Sequence, residues 1–151
     1  VIVPSKDLVT QTEDDYKNLG LDVGVYFGDR KEFGKKHIIA TWQSLEVLHK
    51  NSNADKAEIT ITEFLEGVIC VISDETHRVK GNVLRQLLSG PLANCPIRWG
   101  LTGTMPLEEI EKVAITSCIG PLLNRIETAD LQEKGILAKL HINIWQLKDV
   151  R

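Results

Sequence analysis

Apolar positions recur along the chain at two periods, and the alternation between them predicts the elements. Val1 to Val3 is apolar throughout and reads as the end of a strand. Pro4-Ser5 then opens a helix to about Leu19, with Leu8, Val9, Tyr16 and Leu19 near one face and Gly20 as its stop. Val23 to Phe27 alternates apolar and small residues as a strand does, Gly28-Asp29 turns the chain, and His37 to Trp42 is a second such run. A short helix over Ser44 to Lys50, the polar stretch Asn51 to Asp55 and a helical piece ending near Gly67 follow.

Val68-Ile69-Cys70-Val71-Ile72 is apolar at every position, the pattern of a strand covered on both faces of a parallel sheet, and it is expected to be the central strand. Asn82 to Leu88 suits a helix, Ile97 to Thr102 a strand, and Pro106 to Cys118 a helix with an early proline and glutamates in its first turns. Strands alternate with helices, which predicts an α/β layered fold with right-handed crossovers.

Composition narrows the class. The 151 residues are 42% hydrophobic, with 18 Lys and Arg against 21 Asp and Glu, which fits one globular domain and excludes disorder, collagen and a small disulfide scaffold. A net charge of −3 and a pI of about 5.8 argue against bulk attraction to nucleic acid or anionic membrane. Charge is nevertheless segregated. Arg30, Lys31, Lys35 and Lys36 against Glu32 give one stretch a charge of +3, while the stretch from Glu108 to Lys134 is acidic.

No apolar run approaches the ~20 residues of a membrane span and the start lacks a signal-peptide layout, so a cytoplasmic protein with no membrane partner is expected. Cys70, Cys95 and Cys118 are widely spaced and the histidines scattered, so free buried thiols and no structural zinc site are expected. The chain opens on a strand end without Met, and Leu140 to Arg151 reads as a strand running out of the domain. Both ends are expected to continue into something longer.

Ligands of open α/β sheets gather beyond the carboxyl ends of the strands, which singles out three places. The first is Ser73-Asp74-Glu75-Thr76-His77. Two adjacent carboxylates at a strand end repel unless a cation or a donor offsets them. Asp74 is a candidate to hold a Mg²⁺ bound to nucleotide phosphates, Glu75 to orient and deprotonate an attacking water, and His77 to relay that state to a neighbouring loop. A solvated turn capped by the aspartate is the plain alternative.

The second place is Leu101-Thr102-Gly103-Thr104, a tight turn whose hydroxyls could bond to His77, or which simply caps the next helix. The third is Pro4-Ser5-Lys6, a helix N-terminus suited to phosphate or merely capped by Ser5. Thr41-Trp42-Gln43-Ser44 repeats that layout, with a capping serine and a core Trp42 as its plain alternatives.

In this order and spacing the segments resemble the first RecA-like motor domain of superfamily 2 helicases. Val1 to Lys6 looks like motif Ia, Thr41-Trp42-Gln43-Ser44 like the downstream DNA-contacting motif, Asp74-Glu75-Thr76-His77 like motif II, and Gly100-Leu101-Thr102-Gly103-Thr104 like motif III. Gly28 falls where the family has a glycine-containing backbone contact. Thr76 replaces the more usual Ala or Cys. The tail from Leu131 to Leu147 is similar to the exit segment of phage recombination helicases of the UvsW type.

The resemblance implies a RecA-like three-layer sandwich over residues 1–138 with an exit segment at 139–151 toward a second RecA-like domain. It implies ATP and Mg²⁺ as cofactors and DNA, branched for that subgroup, as partner. It assigns catalysis to Asp74, Glu75 and His77 and coupling to Thr102, Gly103 and Thr104. Nucleic-acid contact falls to Pro4, Ser5, Lys6, Gly28, Thr41, Trp42, Gln43 and Ser44. No G-x-x-x-x-G-K-[ST] string occurs among the 151 residues, so the phosphate-loop strand is expected upstream and this chain alone is expected not to hydrolyse ATP. A sheet edge left open by that strand would favour self-association. A non-catalytic RecA-like DNA-binding or scaffold module is the alternative, and an unrelated doubly wound domain a further one.

Overall fold

Six strands form one sheet in the computed structural model, which describes residues 1–54, 58–80 and 82–139. They are β1 (Ile2–Val3), β2 (Val23–Phe27), β3 (Arg30–Lys31), β4 (His37–Thr41), β5 (Cys70–Ser73) and β6 (Ile97–Gly100). Their order across the sheet is β3-β2-β4-β1-β5-β6, parallel at every pairing except the β2–β3 hairpin. The helices are α1 (Lys6–Asn18), α2 (Trp42–Asn53), α3 (Ile61–Phe64), α4 (Asn82–Ser89), α5 (Glu109–Cys118) and α6 (Thr128–Glu133), with a 3₁₀ turn over Thr76–Lys80.

Successive strand residues point to opposite faces, and the apolar ones sort accordingly. Val3, Val25 and Ile39 share one core with Val9 of α1. Their chain neighbours Ile2, Tyr26 and Ala40, together with Val71, share the other with Leu45 and Leu48 of α2, Leu84, Leu87 and Leu88 of α4, and Ile115 and Cys118 of α5. Helices therefore flank a mainly parallel sheet on both faces: the α/β layering that the alternation of elements predicts, in the RecA-like sandwich that the resemblance implies.

The chain divides into two compact units, Val1–Pro121 and Leu122–Arg151. The sheet lies wholly in the first. In the second, α6 is followed by a turn in which the Gln132 side chain donates to the Ala138 carbonyl at 3.1 Å. The strand expected over Leu140 to Arg151, and all of the exit segment past Lys139, lie outside the described residues.

Several boundaries differ from expectation. The all-apolar run does not start the strand: Val68 and Ile69 precede β5, and Ile69 is 68% exposed. The two inner positions belong instead to β4 and β1, and β1 pairs with β4 through both its residues and with β5 through Ile2, opposite Ser73. Leu19 lies past the last turn of α1, at its C-cap, and is exposed. α2 starts at Trp42 rather than Ser44, because the Thr41 hydroxyl accepts from the Ser44 amide and caps it. α5 starts three residues beyond Pro106, at Glu109. Of the thiols, Cys118 is buried, whereas Cys70 and Cys95 are half-buried.

Candidate functional site

Parallel strands bring their carboxyl ends to one side of the sheet, and the turns singled out above leave from those ends. Pro4-Ser5-Lys6 follows β1, Gly28 follows β2, and Thr41 ends β4. Asp74 to His77 follows β5, and Thr102 to Thr104 comes after β6.

The acidic turn is held by backbone ladders on both flanks. The Asp74 amide donates to the Ile2 carbonyl of β1 at 2.9 Å, and the Leu101 amide donates to the Ser73 carbonyl at 2.9 Å. The Thr76 amide then donates to the Leu101 carbonyl at 2.8 Å, while the Thr76 hydroxyl, buried, donates to the Ser73 carbonyl at 2.7 Å. Between these fixed points Glu75 takes a φ of 50°, the left-handed region that only a minority of non-glycine residues enter. Strain of this kind, of order 1–3 kcal/mol, persists where surrounding structure over-determines it. Asp74 answers part of the cost: its Oδ1 accepts the Glu75 amide at 2.8 Å.

His77 links this turn to the next one. Its Nδ1 lies 2.9 Å from Thr102 Oγ1, 3.1 Å from Glu75 Oε2 and 3.5 Å from Thr104 Oγ1. The Thr102 hydroxyl donates to the Thr104 carbonyl at 3.0 Å and accepts the Thr104 amide at 3.2 Å. Since a carboxylate only accepts and the Thr102 proton is already committed, these partners assign the imidazole proton to Nδ1. The bond to Thr102 or Thr104 expected from the hydroxyls of the tight turn is thus present. Gly103 sits at the exposed tip of that turn, where an added Cβ would meet nothing within 4 Å.

On the β1 side a cavity of about 490 Å³ opens between Pro4, Ser5 and Lys6, the Gly28 turn, and Thr41, Gln43 and Ser44 of the α2 start. Both flanking helices begin here. The Ser5 hydroxyl caps α1, accepting the Leu8 amide at 3.4 Å. The Thr41 hydroxyl accepts the Ser44 amide at 3.3 Å and donates to Ser44 Oγ at 2.9 Å. The Gln43 side-chain amide donates to the Pro4 carbonyl at 3.3 Å and so ties the two starts together. Gly28 supplies the positive φ, 51°, that turns β2 into β3. Trp42 is the exception. It packs against the larger core, with Nε1 buried and lacking a hydrogen-bond partner among the described residues, and does not line this cavity.

Phe27, Lys31 and Val47 also line it and were not singled out individually. The signal for Lys31 was the basic stretch from Arg30 to His37, but the cations there have different fates. Arg30 pairs with Glu13 and Glu32, and Lys35 with Asp22. Lys31 lies over the Tyr26 ring, 4.4 Å from its centroid, and is the member of the run that reaches the cavity.

A mainly parallel sheet whose polar turns share the carboxyl ends of its strands, one of them reading Asp-Glu-Thr-His, defines a superfamily 2 helicase-type RecA-like domain. Residues 1–107 match the family described as Type III restriction enzyme, res subunit, and the chain belongs to that family. It is also similar to proteins named general transcription and DNA repair factor IIH helicase/translocase subunit XPB. The one from Encephalitozoon cuniculi is 29% identical over 135 residues, 86% of this chain and 20% of the relative. That from Enterocytozoon bieneusi is 30% identical over 109 residues, 72% of this chain and 17% of the relative. That from Danio rerio is 32% identical over 76 residues, 50% and 10% respectively. The chain spans a fifth or less of the length of these relatives.

Proposed function

We propose that this chain serves an ATP-driven helicase or translocase acting on DNA, carrying the metal-and-water side of the nucleotide site and part of the nucleic-acid track. The observation that supports this reading is the common address of its parts: every proposed segment leaves the carboxyl end of a parallel strand, so nucleotide chemistry and polymer contact share one side of the sheet.

The donor set suits Mg²⁺ held jointly with phosphate. Asp74 presents hard carboxylate oxygens at the β5 end, and among the described residues no group of three His, Cys, Asp or Glu makes a self-sufficient metal cage. Mg²⁺ typically takes one or two carboxylates and completes its shell with water and substrate oxygens. Asp74 would hold it there, and when bound the ion neutralises charge on the phosphates of ATP. Glu75 Oε accepts the proton of the attacking water, and its contact with His77 Nδ1 links that carboxylate to the Thr102 turn.

In the cavity, the cap consumes the Thr41 hydroxyl, whereas Ser5 accepts the Leu8 amide and keeps its own proton, so phosphate recognition falls to the Ser5 hydroxyl and the remaining first-turn amides of α1 and α2 with Lys6 and Lys31. A few such donors suffice, which reconciles an acidic chain with a polyanionic partner. The XPB relatives, subunits of a transcription and DNA repair factor, make DNA the polymer to test first. The narrower phage recombination type, with branched DNA, rests on the tail segment from Leu131 to Leu147.

In the full-length protein, Glu75→Gln should retain ATP binding and lose hydrolysis, because a carboxamide cannot accept the proton. Equal turnover by Glu75→Gln and the parent refutes the assignment, and no turnover by the parent favours the scaffold alternative.

A further inference from the structure

Glu13 stands in the middle of α1 with 3% of its surface exposed, and a carboxylate so placed must be paired. Its partner comes from the hairpin. Arg30 Nη1 and Nη2 donate to the two Glu13 oxygens at 2.7 and 2.9 Å, the forked geometry of a guanidinium on a carboxylate, and Lys17 Nζ donates to Oε1 at 2.6 Å. The same Arg30 donates to Glu32 on its own hairpin at 2.7 Å.

That pairing joins the two walls of the cavity between the α1 and α2 starts. α1 supplies one wall, through Ser5 and Lys6 at its start, and the Gly28 turn with Lys31 supplies the other. The hairpin's other fastenings are the Lys31 contact with the Tyr26 ring, the Lys35–Asp22 pair beyond it and a short ladder. β3 is a two-residue edge strand, both residues exposed, with the register Tyr26↔Lys31 and Phe27↔Arg30. The Glu32 amide, donating to the Val25 carbonyl at 3.0 Å, closes the ladder.

We infer that Glu13 and Arg30 are positioning residues: their ion pair, buried at Glu13 and open to solvent at Arg30, sets where the Gly28 turn and Lys31 stand relative to the start of α1, and so whether the cavity grips a nucleic-acid phosphate backbone. The inference rests on the nucleic-acid reading of that cavity. Lys31 is the contact, and Glu13 acts on it through Arg30 and the turn.

The test uses the full-length protein with Glu13→Gln, Lys31→Met and the double variant, and Arg30→Lys as a gentler break. Hydrogen exchange reads the brace without any ligand. Glu13→Gln should speed exchange at the Glu32 amide and leave the β4 amides as they were; unchanged protection at Glu32 overturns the brace. Binding of a labelled oligothymidylate across a salt series reads the consequence. Lys31→Met should flatten the salt dependence by about 0.7 in slope, one single-strand phosphate contact. Glu13→Gln should flatten it as much, and the double variant no further. A Glu13→Gln slope equal to the parent, with Lys31→Met flattened, overturns positioning and leaves a purely structural pair. If Lys31→Met itself binds as the parent does, the nucleic-acid reading of the cavity fails and the inference with it, whatever the exchange shows.

Discussion

A methyl group at Gly100 would stand 2.8 Å from the Thr76 hydroxyl and 2.9 Å from its Cγ2, closer than real side chains approach. The bare backbone of β6 is what lets Thr76 fill the space under the acidic turn, and the hydroxyl uses that room to reach the Ser73 carbonyl. Gly100→Ala should therefore destabilise the domain by about 1–3 kcal/mol through overpacking. Adding Thr76→Ala should recover part of the loss, so that urea midpoints of the two singles and the double are not additive. Additive midpoints would show that the two residues do not share this space.

His77 and Thr102 connect the catalytic carboxylate to the neighbouring turn in the proposed mechanism. His77→Ala and Thr102→Val each remove that link, and each should reduce the ratio of DNA-stimulated to unstimulated ATP turnover, by about fivefold or more if the coupling is of ordinary allosteric size. An unchanged ratio in both variants would show that the bond is structural alone.

Arg98 of β6 gathers helix ends. Its guanidinium donates to the Cys118 carbonyl at the close of α5 at 2.8 Å, to Leu88 in the last turn of α4 at 3.3 Å, and to the Cys95 and Ala93 carbonyls between them. A cation at two helix C-termini also meets favourable partial charge. Arg98→Met strands these acceptors and should cost about 2–3 kcal/mol. Arg98→Lys should recover only part, since an ammonium lacks the planar fork. Thermal unfolding of the three proteins measures the difference.

Acid should loosen the α1–hairpin brace. Hydrogen bonding from Arg30, opposed by burial and reinforced by Lys17, lowers the Glu13 pKa from 4.5 to about 2. A folded-state pKa below the unfolded one gives stability that is fully present above pH 4.5 and is lost as pH falls toward 2. Glu13→Gln should accordingly be less stable than the parent near neutrality, with the gap closing over that interval. A gap of constant size down to pH 2 would show that the Glu13 charge does not matter.

What the sequence made legible follows from where its punctuation stands. Val23 to Phe27 was found to the residue because alternation runs between Gly20 and Gly28. The neighbouring ends of β5 and β6 put His77 beside Thr102, which was readable once both strands were recognised. The start of β5 was not, because a run apolar at every position carries no period to say where pairing begins. Glu13 was legible only in part: four residues after Val9 and three before Tyr16, it falls on the buried face of α1, but its partner Arg30, 17 residues later, meets it only in the fold. The fates of the basic run were hidden for the same reason: which cation is spent on a carboxylate and which reaches the cavity depends on the hairpin register.

A strand of two residues links the two candidate regions. The carbonyl of Ile2 in β1 holds the Asp74 amide, and only Pro4 and Ser5 separate the end of β1 from the start of α1 at Lys6. If the proposed function holds, tension applied at Lys6 by a bound polymer would arrive at the acidic turn through the Pro4-Ser5 joint and that one short beam.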